Sequence, residues 1–174
     1  MEYAIVLYFN EDEDQYMTNI IKNIADESNN GYMTENHIPP HLTLALFNSE
    51  INEKEIIETL DKTTNEYTKE NIKISSIGIF NPAVIYLSPI LNGRLIEINI
   101  RTNNILKQIN INNNTYLFNQ WVPHISLAVK LNIEQLKKAL NVTIKRFKPF
   151  DCKINSLALV KCNPYKEIKI WKIK

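Results

Sequence analysis

One phrase occurs twice in this chain, and it restricts the fold more than any other feature. Pro40-His41-Leu42-Thr43-Leu44-Ala45-Leu46 returns as Pro123-His124-Ile125-Ser126-Leu127-Ala128-Val129, at an offset of 83 positions, and its histidines are two of the three in the protein. Each phrase predicts a strand opened by a proline, with His41 and Thr43 on one face and Leu42, Leu44 and Leu46 on the other. His124 and Ser126 share a face in the same way. A second landmark repeats as well: Ile74-Ser75-Ser76-Ile77 against Ile154-Asn155-Ser156-Leu157, at an offset of 80. Each copy precedes an Asn-Pro turn, Asn81-Pro82 and Asn163-Pro164. Both halves therefore read motif strand, helix, strand, turn, strand, which is the mark of an internal duplication.

The remaining periodicities fill in the elements. Alternation predicts strands over 2–9, 72–80, 84–87, 151–161 and 166–173, and helical spacing predicts helices after Asn10, over 53–60, 94–109 and 133–140. Glu11, Asp12, Glu13 and Asp14 place negative charge at the favourable end of the first helix. Residues 28–37 and the Asn-rich 110–114 read as loops. The expectation is a single α+β domain over 1–174, bilobed and pseudo-two-fold. Two antiparallel sheets face a central cleft, with helices outside. Lobe one is expected over 1–90, lobe two over 115–174, and 91–114 links them.

Composition narrows the chemistry. A net charge of +1 gives no broad field for a long polyanion, so a nucleotide or a nucleic-acid end suits the chain better than bulk RNA. Lys145, Arg146 and Lys148 form a local basic cluster that reads as a solvated edge. Only three glycines are present, too few for a Gly-rich phosphate loop, so no nucleotide cofactor is expected. His37 and His41 have metal-chelating spacing only on a helix, which Pro39 and Pro40 forbid, so no metal is expected either. Cys152 and Cys162 flank one predicted strand that would hold them about 30 Å apart, beyond disulfide reach. Reduced cysteines, an opening strand in place of a leader and no apolar run of membrane length predict a cytoplasmic, monomeric protein with no membrane association.

An imidazole beside a hydroxyl, presented twice, suits cleavage of a phosphodiester. One histidine removes a proton from the attacking water or hydroxyl, the other protonates the departing oxygen, and Thr43 and Ser126 donate to the non-bridging oxygens where charge builds. One His-x-Thr alone is weak, because a strand histidine is more often a hydrogen-bonded part of the fold. Duplication with matching prolines and apolar frames lifts the signal. Continued alternation brings Lys130 and Phe47 to the cleft face, as a phosphate contact and a base-stacking ring. Trp121 and Tyr86 are further stacking candidates, with packing as the plainer role for both.

The pair PHLTLAL and PHISLAV resembles the two-histidine (2H) phosphoesterase superfamily, which includes 2′-5′ RNA ligase-like proteins and 2′,3′-cyclic nucleotide phosphodiesterases. The resemblance covers nearly the whole chain. It implies His41 and His124 as the catalytic pair, Thr43 and Ser126 as phosphate ligands, and catalysis without metal or cofactor. Val129-Lys130 stands where many RNA ligase-like members have Arg, and Leu46-Phe47-Asn48 where they have Phe-Leu-Gly, so the resemblance implies the reaction class more than the molecule cut. The expected substrate is a 2′,3′-cyclic phosphate of a nucleotide or RNA end. The alternatives are a cyclic oligonucleotide messenger of bacterial immunity, degraded as phage anti-defence relatives do, and nucleotide or RNA binding without cleavage.

Overall fold

The computed structural model describes residues 2–48, 53–111 and 116–174. Most of the Asn-rich loop expected at 110–114 lies outside the described residues. The elements in order are β1 (Glu2–Phe9), α1 (Glu11–Ser28), α2 (Tyr32–Glu35), β2 (Leu42–Asn48), α3 (Glu53–Thr63), β3 (Asn71–Phe80), β4 (Val84–Pro89), α4 (Gly93–Gln108), β5 (Ile125–Ala128), α5 (Ile133–Arg146), β6 (Phe150–Cys162) and β7 (Tyr165–Lys172). The predicted strands and helices are all present. Helix α5 runs past its expected end at Leu140 because Val142 and Thr143 continue the buried stripe, and Lys145 and Arg146 complement the dipole in its last turn. Its start is fixed by a capping box in which Asn132 and Gln135 satisfy each other's backbone N–H. The loop expected over 28–37 contains the short helix α2.

All strand pairs are antiparallel, in the order β2-β1-β6-β3-β4-β5, with β7 also on β6. The 13-residue β6 joins two sheets: its start pairs with β3, and from Ile154 onward it pairs with β1 and β7. The strands are not grouped as the consecutive lobes 1–90 and 115–174. Instead the chain runs strand, helix, motif strand, helix, strand twice, as β1-α1-β2-α3-β3 and β4-α4-β5-α5-β6. Each unit lends its third strand to the other, β3 lying on β4 and β6 on β1. The helices cross in the same sense, α1 packing on α5 and β5 while α4 packs on α3 and β2. Each sheet is therefore built from strands of both units.

Alternation along β1 sorts the two faces. Tyr3, Ile5, Leu7 and Phe9 enter the main core with Leu42, Leu44, Leu87, Leu127 and Leu157, whereas Ala4, Val6 and Tyr8 face the other way with Ala158 and Val160. Each large aliphatic side chain so buried is worth about 1.5–3 kcal/mol. Cys152 and Cys162 are unpaired thiols on the same strand, as expected, and burial holds the Cys162 thiol up at about 11. Among the described residues no helix is long and apolar enough to cross a membrane.

Both motif strands carry an irregularity that strict alternation does not contain. Val6 pairs with Thr43 but Ile5 with Ala45, leaving Leu44 as an extra residue; Tyr86 pairs with Ser126 but Ile85 with Ala128, leaving Leu127 extra. A bulge of this kind flips the face of everything beyond it. The same one-residue shift, at equivalent places in both copies, ends the functional face of each motif just after its hydroxyl.

Candidate active site

His41 immediately precedes β2 and His124 immediately precedes β5, each following a buried proline. The Nδ1 of His41 bonds to the Pro39 carbonyl at 2.8 Å, and that of His124 to the Val122 carbonyl at 2.7 Å. A carbonyl only accepts, so Nδ1 carries the proton in both rings and, in the neutral form, each Nε2 is left as a free acceptor. The two imidazoles are thus locked into the same tautomer by the same local turn. Both rings are half-buried, as are Thr43 and Ser126.

Burial pushes both imidazoles below their ordinary value, opposed in each case by the carbonyl bond; the charge of His124 lowers His41 further. The two rings are therefore within electrostatic reach of one another. The motif strands touch directly, and Trp121, just before the second motif, donates its indole N–H to the Thr43 carbonyl at 3.0 Å. Thr43 pairs with Val6, whose face also carries Tyr8, and His41 lies 5.9 Å from the ring of Tyr165 on that same side. Ser126 pairs with Tyr86, and the Tyr86 ring lies 5.3 Å from His124. Each histidine and its hydroxyl thus share the face the alternation predicted.

The surroundings of the two histidines differ. Beside His41 the phenolic oxygens of Tyr165 and Tyr8 are in hydrogen-bond contact, and burial raises both phenols, Tyr165 to about 12. Beside His124 stands an aromatic stack: Phe80 lies on Tyr86 at 4.4 Å between centroids, and its ring meets His124 edge-on at 4.9 Å and 86°. Gly78 makes room for this stack, since a Cβ there would lie 2.2 Å from the Tyr86 ring.

The other expected site residues fare unequally. Tyr86 is at the site, beside His124. Phe47 is not: it is buried and stacks on Tyr3 in the core, because the bulge at Leu44 reverses the face on which it was expected. Lys130 also departs from the expected alternation; past the matching bulge its backbone turns to φ 56, and its ammonium sits 4.0 Å from the centroid of Tyr32. Trp121 is core rather than a stacking surface, but its N–H ties the first motif in place. Lys145, Arg146 and Lys148 lie at the end of α5 and just beyond it, all three exposed.

Four residues escaped sequence reasoning. Asn99, fully buried in α4, donates to the carbonyl of the bulged Leu44 at 3.1 Å and to that of Tyr116 at 2.9 Å. It supplies the bond that the bulge takes from the ladder. Phe80, Tyr165 and Tyr8 are the others. A signal for two of them existed, because Phe80 immediately precedes Asn81-Pro82 and Tyr165 immediately follows Asn163-Pro164, so the duplicated turns each carry an aromatic ring to a histidine.

The fold has solved counterparts. TT0787 of Thermus thermophilus superposes with a TM-score of 0.66 at 14% identity, over 99% of this chain and 98% of that one. LigT of E. coli complexed with 3′-AMP matches at 0.59 and 14%, over 99% and 98%. Usb1 of Kluyveromyces marxianus matches at 0.51 and 13%, over 99% and 97%. No functionally curated protein matches the sequence. The family model of the 2′-5′ RNA ligase superfamily matches residues 17–164, both histidine motifs included. With that match over most of its length, the chain belongs to the 2′-5′ RNA ligase superfamily, the two-histidine phosphoesterases.

Proposed function

We propose that this protein is a phosphodiesterase that opens a cyclic phosphate, the 2′,3′-cyclic phosphate of a nucleotide or RNA end, with His41 and His124 exchanging protons and Thr43 and Ser126 holding the phosphate. The observation that carries the reading is the duplicated tautomer lock. Two imidazoles with Nδ1 tied to a carbonyl expose two Nε2 atoms, each able to take a proton when neutral and to give one when charged. Hydroxyl donors two residues on from each suit the charge that grows on the non-bridging oxygens. Depressed histidine values keep at least one ring neutral near pH 7, as the base must be.

Nucleotides as ligands accord with the LigT structures, which are complexed with 3′-AMP and with ATP. The test is a panel of 2′,3′-cyclic mononucleotides, 2′-5′-linked dinucleotides and cyclic di- and trinucleotides, with products separated by chromatography. Opening of the 2′,3′-cyclic phosphates by wild type, lost by several orders of magnitude in His41→Ala and in His124→Ala, is the expected result. Consumption of cyclic oligonucleotides alone would move the substrate to the messenger class. Full activity in either histidine variant, or binding without product, would end the catalytic assignment.

A further inference from the structure

The two copies of the duplicated unit hold their motif strands by different means. Asn10 and Asn92 stand at the N-terminal caps of α1 and α4, so Met17 and Asn99, each seven residues on, occupy equivalent places. Both are fully buried. One copy thus fills this place with an apolar side chain, yet the other buries an amide there, which is unfavourable unless hydrogen bonds offset it. Asn99 is only half satisfied. Its Nδ2 donates to the Leu44 and Tyr116 carbonyls, at 3.1 and 2.9 Å, whereas its buried Oδ1 has no partner among the described residues. What the amide contributes is its two N–H groups.

We propose that Asn99 is a positioning residue that sets the first motif against the second, by tying the strand of one and the lead-in of the other to a single amide; its kinetic consequence rests on the phosphodiesterase reading above. Three observations carry it. Leu44 directly follows Thr43 and is the bulged residue within β2, with ladder pairs on both sides of it. The bulge at Leu127 falls instead beside Ala128, the last residue of β5. Only the first motif has a bulge to be held inside a continuing ladder, and the amide stands there. Next, Tyr116 begins the segment that runs to His124, and its carbonyl also receives Nδ2 of Asn103 at 3.4 Å. Finally, that segment returns to the first motif through Trp121, whose indole N–H meets the Thr43 carbonyl. The adjacent carbonyls of Thr43 and Leu44 are therefore held by the lead-in to the second motif and by the helix that anchors it. Slack of about 1 Å between groups that must meet on one phosphorus is enough to lower turnover roughly 100-fold.

Asn99→Met, which installs the residue of the sister copy, tests this beside Thr102→Val. Thr102 is buried on the same helix, and among the described residues its hydroxyl bonds only to Ile98 and Tyr67. On adenosine 2′,3′-cyclic phosphate, Asn99→Met should lower kcat roughly 100-fold with KM near its wild-type value, while Thr102→Val lowers the urea midpoint and keeps the wild-type kcat. A second readout needs no turnover. In NMR titrations of the imidazoles, the rise of His41 on His124→Ala should shrink in the Asn99→Met background and persist in the Thr102→Val background. If Asn99→Met does not fold, Asn99→Ala removes the same donors and should show both effects in the same sense. A wild-type kcat in Asn99→Met, an equal loss in Thr102→Val, or a His41 response absent from the wild type or undiminished in Asn99→Met would overturn the role of Asn99. Wild type that opens no cyclic phosphate would end the phosphodiesterase reading alone, since the His41 response still decides the positioning.

Discussion

Gly78→Ala probes the architecture of the His124 half-site in a single methyl group. Gly78 pairs with Tyr86 across the β3–β4 ladder, and a Cβ there would lie 2.2 Å from the Cζ and 2.5 Å from the hydroxyl oxygen of Tyr86. Carbon–carbon contact begins near ~3.5 Å, so the ring must retreat by roughly 1 Å. It has little room, with Phe80 at 4.4 Å and His124 at 5.3 Å between centroids. Overpacking of this kind costs about 1–3 kcal/mol, and the lower chain entropy of alanine in a strand returns about 0.5–1 kcal/mol. The net loss is about 0.5–2 kcal/mol, or a fall in Tm of roughly 2–6 °C for a chain of this size. Urea unfolding followed by circular dichroism measures it as a shift in midpoint at constant slope. The decisive comparison is the same change in a Tyr86→Ala background, where the clash is gone. There Gly78→Ala should stabilise by about the 0.5–1 kcal/mol of lower chain entropy, so that the coupling equals the clash, about 1–3 kcal/mol. Strict additivity of the two substitutions would refute the packing of Tyr86 over Gly78 and with it the seat of the stack.

Four further outcomes are expected. Trp121→Phe keeps the buried ring but strands the Thr43 carbonyl, which should destabilise the protein by about 1–3 kcal/mol and lower kcat more than it changes KM. In NMR titrations of the wild type, both His41 and His124 should titrate below the usual ~6.5 of imidazole, and His124→Ala should raise His41, because the like charge that lowers it has gone; an unmoved His41 would mean that the rings do not sense one another. Stability should be full above about pH 6.5 and fall as pH drops below it, since both histidines resist protonation in the fold while the unfolded chain accepts protons; acid titration of the urea midpoint checks the sign, and replacing both histidines should flatten that limb. Chelation by EDTA should leave the proposed turnover unchanged.

How much of this was legible from residues alone divides along a physical line. Period-two alternation is a property of the backbone of one strand, so His41 with Thr43 and His124 with Ser126 were placed on shared faces correctly before any partner strand was known. The tautomer lock is local too, set by carbonyls two residues upstream at Pro39 and Val122. Repeats, turns and caps belong to the same class. Phe47 and Lys130 failed for the opposite reason. A bulge is defined by two strands together, and the extra Leu44 and Leu127 exist only with respect to β1 and β4.

The duplicated phrases by themselves determined that there would be two equivalent strands, each offering an imidazole and a hydroxyl from one side. Tertiary structure decided that the copies exchange their third strands, that Asn99 and Trp121 reach across to hold the first motif's backbone, and that Phe80 with Tyr86 on one side and Tyr8 with Tyr165 on the other make the half-sites unlike. Those decisions rest on contacts between residues distant in the chain, whose energies depend on the shape of the space left by everything else, and no local period encodes that shape.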